Sequence, residues 1–225
     1  MPFDQTKNLS GLLLDSSSGV IERDDLLACN RLKFFHVVGK TGWEVYSYHS
    51  PEPLRGEEPE TDTFVYSIIC RRSGSRLLLL GSGREIVPYV LDRELNNLFS
   101  PHLRKVQIGI DPLVKAITRT PRDYVLSFAH ARVPAYGANL RSVSFYGDDL
   151  ANARFFKDHV DLMTFFTCGL RQVVGGTEIV RLSTDGAISF IFTDSDRVRE
   201  VEKVLHFLRV EGYLDAENGK HTSKE

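Results

Sequence analysis

Residues 177–214 constrain the fold of this chain more than any other stretch. Two strand-like segments, residues 177–184 and 187–193, flank Asp185-Gly186. That dipeptide favours a two-residue hairpin turn, because both central positions of the turn need positive φ. Pairing across the turn leaves apolar residues on both faces, namely Ile179, Ile188, Phe190 and Phe192 on one and Val180, Leu182 and Ile191 on the other. We therefore predict that the hairpin lies inside a sheet and not at its margin.

A helix is predicted directly after this hairpin. The Asp194-Ser195-Asp196 cluster supplies N-cap side chains, and valines and leucines recur at helical spacing from Val198 to Leu208. Gly212 is predicted to follow the helix as its C′ residue, with Tyr213 making the apolar contact that often closes a helix. A hairpin followed by one helix is thus the C-terminal unit that the sequence predicts.

The rest of the chain is mostly arranged as hairpins followed by single helices. Strand pairs are predicted over residues 33–38 and 43–48, 64–70 and 76–80, and 124–133 and 141–147, with one further strand over 105–110. Helices are predicted over residues 88–99, 111–117 and 150–157. Residues 159–174 mix both periods, and a helix as far as Cys168, ended by Gly169, is the preferred interpretation. The pattern predicts an α+β fold with a mixed, mainly antiparallel sheet, about eight strands and four or five helices.

The 225 residues are expected to form one α+β domain with three polar or loosely held segments. Residues 1–30 are predicted to be a loosely held N-terminal arm that docks through its leucines. Residues 50–62 carry three prolines and five acids against one arginine, which is typical of a surface loop. Residues 216–225 are predicted to be a polar tail.

Composition places the chain among cytosolic globular proteins. Apolar content of 42% and charged content of 26% are ordinary for that class. No apolar run reaches the roughly 18–20 residues that a membrane span needs, and no secretory signal is recognisable. Cys29, Cys70 and Cys168 lie far apart without metal-ligand spacing, which favours free thiols in a reducing compartment. We therefore expect a cytoplasmic protein with no membrane partner and no cofactor.

The net charge of −2 conceals an uneven distribution along the chain. Residues 1–62 hold 6 Lys and Arg against 11 Asp and Glu, a sum of −5. Residues 63–141 hold 12 against 5, or +7, and residues 142–225 hold 10 against 14, or −4. A basic middle between acidic flanks can form an anion-binding face, or its charges can pair across the fold.

No catalytic or metal-binding motif stands out. The seven histidines show no close pair at ligand spacing, and there is no Gly-x-Ser-x-Gly elbow. Gly39-Lys40-Thr41 lacks the first glycine of a phosphate loop and precedes a strand, so a hairpin turn is the better interpretation. Two features keep an enzyme open as an alternative: the Gly81-Ser82-Gly83 turn before a helix, and the Asp148-Asp149 pair at a strand end. An N-cap role is the simpler interpretation of that pair.

One strand carries an unusual polar pair. Side chains alternate along a strand, so Phe128, His130 and Arg132 are expected on one face. A ring, a histidine and an arginine on one exposed face are typical of a platform for bases and phosphates, although a solvated edge gives the same pattern. The candidate anion-binding set combines this pair with the basic residues at predicted turns and strand ends: Arg71, Arg72, Arg76, Arg84, Arg104, Lys105, Arg119, Arg122, His130 and Arg132.

The sequence thus predicts a non-enzymatic module that binds nucleic acid or a protein partner through its basic central segment. Two alternatives stay open. One is an enzyme that processes phosphoesters or nucleotides, and the other is a structural subunit of a larger complex or homo-oligomer.

Overall fold

A computed structural model describes most of the chain. The described residues are 8–16, 22–38, 43–50, 64–73, 76–81, 87, 90–99, 103–120, 123–134, 141–173, 179–191, 203–208 and 211–213. They belong to two compact units. The first unit comprises the described residues of Met1–Lys105 and Gly186–Val198, and the second comprises those of Val106–Asp185 and Arg199–Glu225. The sequence predicted one domain, and that interpretation stays a prediction.

The first unit is an antiparallel sheet with short helices. Its strands are β1 (Asn8–Ser16), β2 (Leu32–Val38), β3 (Trp43–Ser50), β4 (Phe64–Ser73), β5 (Arg76–Gly81), β6 (Leu103–Lys105) and β11 (Ala187–Ile191). They pair in the order β2-β3-β4-β5-β1-β11, with β6 alongside the end of β1. Helix α1 (Arg23–Leu27), a π-helical turn at Leu91–Leu95 and α2 (Asn96–Phe99) complete the unit.

The core of the first unit lies between one face of this sheet and the helical segments. It contains leucines of β1 and β5, two fully buried tyrosines of β3, and residues of the helical turns: Leu12, Leu14, Leu26, Tyr46, Tyr48, Leu77, Leu79, Val90 and Leu95. Each of these strands contributes alternate residues to the core, as period-two packing requires.

The second unit places helices on one side of an antiparallel sheet. Its strands are β7 (Tyr124–Arg132), β8 (Ser142–Tyr146), β9 (Thr164–Gln172) and β10 (Ile179–Ser183), in the order β10-β9-β7-β8. Its helices are α3 (Ile110–Arg119) and α4 (Arg154–His159), flanked by 3-10 turns at Leu150–Asn152 and Val160–Leu162, and residues 203–208 are also helical. Helix α3 packs against β7 and β9. Its buried residues cover one face of the sheet, and along β7 the described residues of the other, more open face are half-buried or exposed.

The fold class is confirmed as α+β with a mainly antiparallel sheet; every pair described within the two units is antiparallel. The strand pairs β2–β3, β4–β5 and β7–β8 are the predicted ones. Each strand of the predicted C-terminal hairpin also has an outer neighbour, since β10 pairs with β9 and β11 pairs with β1. Gly212 has φ of +73°, in agreement with the predicted helix end.

The predicted type of turn at Asp185-Gly186 is wrong. Only Gly186, with φ of +80°, is left-handed, and Asp185 is not. The strands stop at Ser183 and resume at Ala187, so three residues connect them. A three-residue connection needs the left-handed conformation only at its last position, and the glycine supplies it.

The prediction of a helix reaching Cys168 is also wrong. Residues 164–172 form β9, which pairs with β7 on one side and with β10 on the other. Two ladders of backbone hydrogen bonds with residues distant in sequence outweigh the ambiguous local periodicity. Similarly, the strand predicted over residues 105–110 is confined to Leu103–Lys105, and α3 begins at Ile110 with Gly109 as its N-cap.

The N-terminal segment differs from the predicted loose arm. Residues 8–16 form β1, paired with β5 on one side and with β11 and β6 on the other. Leu12, Leu13 and Leu14 are buried there. The predicted loop over residues 50–62 lies outside the described residues except for Ser50, which ends β3, and the polar tail over 216–225 lies outside them entirely.

Candidate nucleic-acid interface

The open face of the second unit gathers the aromatic and basic residues of β7. The register of β7 and β8 sets Phe128 opposite Tyr146, His130 opposite Ser144 and Arg132 opposite Ser142. Directly opposed residues of antiparallel strands point to the same side, so these pairs share one face. Burial along β7 agrees with this arrangement, because Leu126, Ala129 and Ala131 are fully buried while Phe128, His130 and Arg132 are not. We call the set Phe128, His130, Arg132, Ser144, Tyr146 and Arg181 the aromatic–basic face.

Arg181 joins this face across a glycine. Gly169 of β9 stands in register between Phe128 of β7 and Arg181 of β10. Because glycine has no side chain, the Arg181 guanidinium extends over it, and its Cζ lies 5.2 Å from the Phe128 ring centroid. The arginine therefore makes a cation–π contact with the ring.

The aromatic row continues from Phe128 to the outermost strand of this unit's sheet. The Phe128 and Tyr146 ring centroids are 4.9 Å apart with the planes tilted by 45°. Phe128 is half-buried, whereas Tyr146 is 71% exposed. One ring is thus supported by the sheet, and its neighbour presents most of its surface to solvent.

A second row crosses the face at His130. Its Nδ1 lies 2.7 Å from Ser144 Oγ, and its ring meets that of Phe166 edge-on with centroids 4.4 Å apart. These two contacts fix the plane of the imidazole. Two residues further along β7, Arg132 is exposed, and it makes no ion pair among the described residues. Its charge is consequently available to solvent or to an anion.

The other members of the predicted anion-binding set are distributed over both units. Arg71 and Arg72 were predicted to lie in the turn between the strands 64–70 and 76–80, but both belong to β4, which ends at Ser73, and Arg76 begins β5. Arg104 and Lys105 are exposed on β6, and Arg104 pairs with Asp15 at 2.9 Å. In the second unit, Arg119 ends α3 and pairs with Asp161 at 2.7 Å. Arg84 and Arg122 lie outside the described residues.

Two of the predicted basic residues, His130 and Arg132, therefore lie together on the aromatic–basic face. Tyr146 and Arg181 were not in the predicted set, although both belong to predicted strands. Period-two alternation places Tyr146 with Ser144, and Arg181 is the only charged residue of β10. The cross-strand register that joins them to Phe128 is not visible in the local sequence.

Two carboxylates of the first unit, those of Glu44 and Glu94, accept hydrogen bonds that hold its helical segments to the sheet. The Glu44 carboxylate, on β3, accepts hydrogen bonds from Arg23 at 2.6 Å and from the Tyr46 hydroxyl. Glu94, in the π-helical turn, accepts from Arg31 at 2.9 Å and from the Tyr48 hydroxyl at 3.1 Å. The hydrogen bond and charge of Glu44 raise the pKa of the Arg23 guanidinium. Buried carboxylates need such donors, and here they tie helical segments to the sheet.

The cysteines are consistent with the predicted free thiols where they are described. Cys29 and Cys168 are both buried and unbonded to another sulfur. Burial raises the pKa of both thiols, that of Cys168 to about 12. A thiol with so high a pKa is a poor nucleophile at neutral pH.

The two features that suggested an enzyme were the Gly81-Ser82-Gly83 turn and the Asp148-Asp149 pair. Among the described residues no group of three or more His, Cys, Asp and Glu side chains is placed to hold a metal ion. Gly81 ends β5, and the turn after it, residues 82–86, lies outside the described residues. Asp149 lines a cleft of the second unit.

Comparisons with known proteins give no family for this chain. No protein-family model matches it, and a search of curated proteins found no matching relative. Within the described residues, no helix has both the length and the apolar character needed to cross a membrane.

Proposed function

We propose that this protein binds single-stranded nucleic acid on the aromatic–basic face of its second unit. The observation that carries the proposal is the row in which Arg181, Phe128 and Tyr146 adjoin one another across four strands, with Tyr146 exposed at its end. Proteins that bind single strands combine aromatic side chains, on which bases stack, with basic side chains that follow the phosphates.

Each residue of the face has a role in this proposal. Tyr146 offers its exposed ring to an unpaired base, and the tilted Phe128 ring supports a second stacking position. Arg132, exposed and without an ion pair among the described residues, contacts a backbone phosphate, for which its forked guanidinium is suited. The His130 ring, held by Ser144 and Phe166, contributes a second polar contact beside the phosphate.

Single strands fit this face better than duplexes do. Stacking on a sheet requires bases that are free to leave their neighbours, and bases of a duplex are already stacked inside the helix. Duplex binding through a sheet of this kind would be limited to phosphate contacts, which are weaker at higher salt.

Fluorescence anisotropy tests the proposal directly. The full chain is titrated into labelled single-stranded RNA, single-stranded DNA and duplex DNA of one sequence at two salt concentrations. We expect tighter binding to the single strands, with Tyr146→Ala weakening it about tenfold, since loss of one stacked base costs about 1–3 kcal/mol.

Phe155→Ala is the matched control, because Phe155 is a 60% exposed aromatic residue of the same unit that lies on α4 and not on the face. Equal losses in the two variants would contradict the proposed surface. Failure of the unmodified chain to bind any of the three nucleic acids would refute the proposed function and favour a protein partner.

A further inference from the structure

A second candidate site lies in a cleft of the second unit. The cleft has a volume of about 290 Å³ and is bounded by the end of α3, the start of β7, the end of β9 and the segment that follows β8. Its wall carries one acidic residue, Asp149, and two basic residues, Arg119 and Lys157. Ile117, Val125 and Val173 supply apolar surface. A small concave space with a few convergent polar groups is the usual form of a ligand site.

Asp149 is not explained by the N-cap role that the sequence predicted. It precedes the 3-10 turn at Leu150–Asn152, but its side chain makes no capping hydrogen bond. Instead, its Oδ2 accepts a hydrogen bond from the Asn152 side-chain amide at 2.6 Å. Its Oδ1 is buried and has no hydrogen-bond partner within the described residues.

An unpartnered buried carboxylate oxygen is costly. Leaving a buried acceptor unsatisfied is destabilising, and more so when the group is charged. Such groups in native proteins call for a missing donor, and a ligand hydroxyl or amine that enters the cleft wall would supply it. The carboxylate therefore favours a ligand that donates a hydrogen bond.

The two cations of the cleft are held only by exchangeable contacts. Lys157 Nζ donates to Asn152 Oδ1 at 3.1 Å, and Arg119 pairs with Asp161 at 2.7 Å. Both partners in the Arg119–Asp161 pair are more than half exposed, so the pair contributes little stability. An anion at the cleft can therefore recruit both cations without breaking a buried interaction. A phosphate suits this pair, because arginine binds its oxygens with a forked guanidinium and lysine is a common phosphate-binding cation.

From these groups we propose that the cleft binds a small phosphomonoester with a free hydroxyl, of the size of a pentose phosphate. Its phosphate contacts Lys157 and Arg119, its hydroxyl donates to Asp149, and its carbon skeleton packs on the apolar wall. The volume of about 290 Å³ suits a ligand of this size. This inference concerns binding alone and is independent of nucleic-acid binding on the aromatic–basic face.

Calorimetric titration of the full chain with ribose 5-phosphate, ribose and inorganic phosphate tests the inference. We expect ribose 5-phosphate to bind more tightly than either fragment. Asp149→Asn should weaken ribose 5-phosphate about tenfold, because the ligand hydroxyl then donates to a neutral amide oxygen in place of a carboxylate. The same variant should leave inorganic phosphate unchanged or tighter, because it removes a negative charge.

Lys157→Gln should weaken ribose 5-phosphate and inorganic phosphate alike, since it removes a cation from the phosphate position. The controls are Asp158→Asn and Lys33→Gln, both exposed side chains outside the cleft lining, and neither should alter binding. Thermal melts show whether each variant is folded. Absence of ribose 5-phosphate binding to the unmodified chain, or equal binding by the folded Asp149 and Lys157 variants and the controls, would overturn the inference.

Discussion

The guanidinium of Arg181 lies over the ring of Phe128, although the two residues belong to β10 and β7 and a third strand runs between them. Their separation of 5.2 Å is possible because the intervening position of β9 is Gly169. The contact orients the arginine along the open face of the sheet. It also leaves the Arg181 Nε buried without a hydrogen-bond partner among the described residues. The arginine is thus ordered by the ring and has donor capacity remaining.

Replacing Phe128 with leucine should distinguish the effect of the aromatic ring on nucleic-acid affinity from the effect of apolar packing on stability. Leucine preserves most of the apolar contact, so the free energy of unfolding should change by less than about 1.5 kcal/mol. The affinity for single-stranded nucleic acid should nevertheless fall about fivefold to tenfold, because one stacking surface is removed. Anisotropy titrations give the affinity and urea unfolding gives the stability. Phe155→Leu should leave the affinity unaltered, and an equal fall there would argue against stacking on β7.

Arg132→Gln should change the salt dependence of binding. Each phosphate contact with a single strand contributes about −0.7 to the slope of log K against log salt concentration. Losing one contact should therefore make the slope shallower by about that amount. Arg154→Gln is the control, because the Arg154 side chain is 96% exposed and lies outside the face. An unchanged slope for Arg132→Gln would show that this residue contacts no phosphate.

Gly11→Ala tests whether the N-terminal segment is a strand of the sheet. A Cβ at this position would lie 2.4 Å from the Leu79 carbonyl oxygen, and the neighbouring backbone would have to move. We expect a loss of about 2 kcal/mol in the free energy of unfolding, which is typical of overpacking. Urea denaturation with Ser10→Ala as the neighbouring control measures it. If the two variants were equally stable, residues 8–16 would behave as the loose arm of the sequence prediction.

Cys168 should make stability depend on alkaline pH. The pKa of its thiol is raised by burial from 9.0 to about 12 in the folded chain, so the folded state retains the proton longer than the unfolded state. The stabilisation is complete below about pH 9 and is lost as pH rises from there to about 12. Between pH 8 and pH 10 the loss should be about 1 kcal/mol.

The measurement is urea unfolding at those two pH values for the unmodified chain and for Cys168→Ala. The alanine variant is less stable at both, because it leaves a cavity, but it should lose less on going to pH 10. An identical pH-dependent loss in the two proteins would contradict the raised pKa.

The sequence was informative where structure is local. The pairs β2–β3, β4–β5 and β7–β8 are close in sequence, and their alternating side chains and turn residues predict them. The strand β1 was not predicted, because its pairing with β5 and β11 joins residues far apart in the chain. The same is true of β9, whose mixed periodicity also fits a helix until its two neighbours are known.

The candidate face was predictable only in part for the same reason. Period-two alternation along one strand places Phe128, His130 and Arg132 on a common side. Joining Tyr146 and Arg181 to them requires the register of three strand pairs, which no local pattern specifies. Likewise, the sequence offered a capping role for Asp149, and only the observed hydrogen bonds show that this role is not filled.

Photo-crosslinking with a single-stranded RNA that contains 4-thiouridine, followed by mass spectrometry of tryptic peptides, locates the bound strand on the protein. Trypsin should release residues 123–132 and 142–154 as separate peptides, since arginines stand at 122, 132, 141 and 154. We expect crosslinks in both peptides, centred on Phe128 and Tyr146. In Tyr146→Ala the crosslinks in the peptide 142–154 should be lost. Crosslinks confined to other peptides, with none in these two, would contradict binding on the aromatic–basic face.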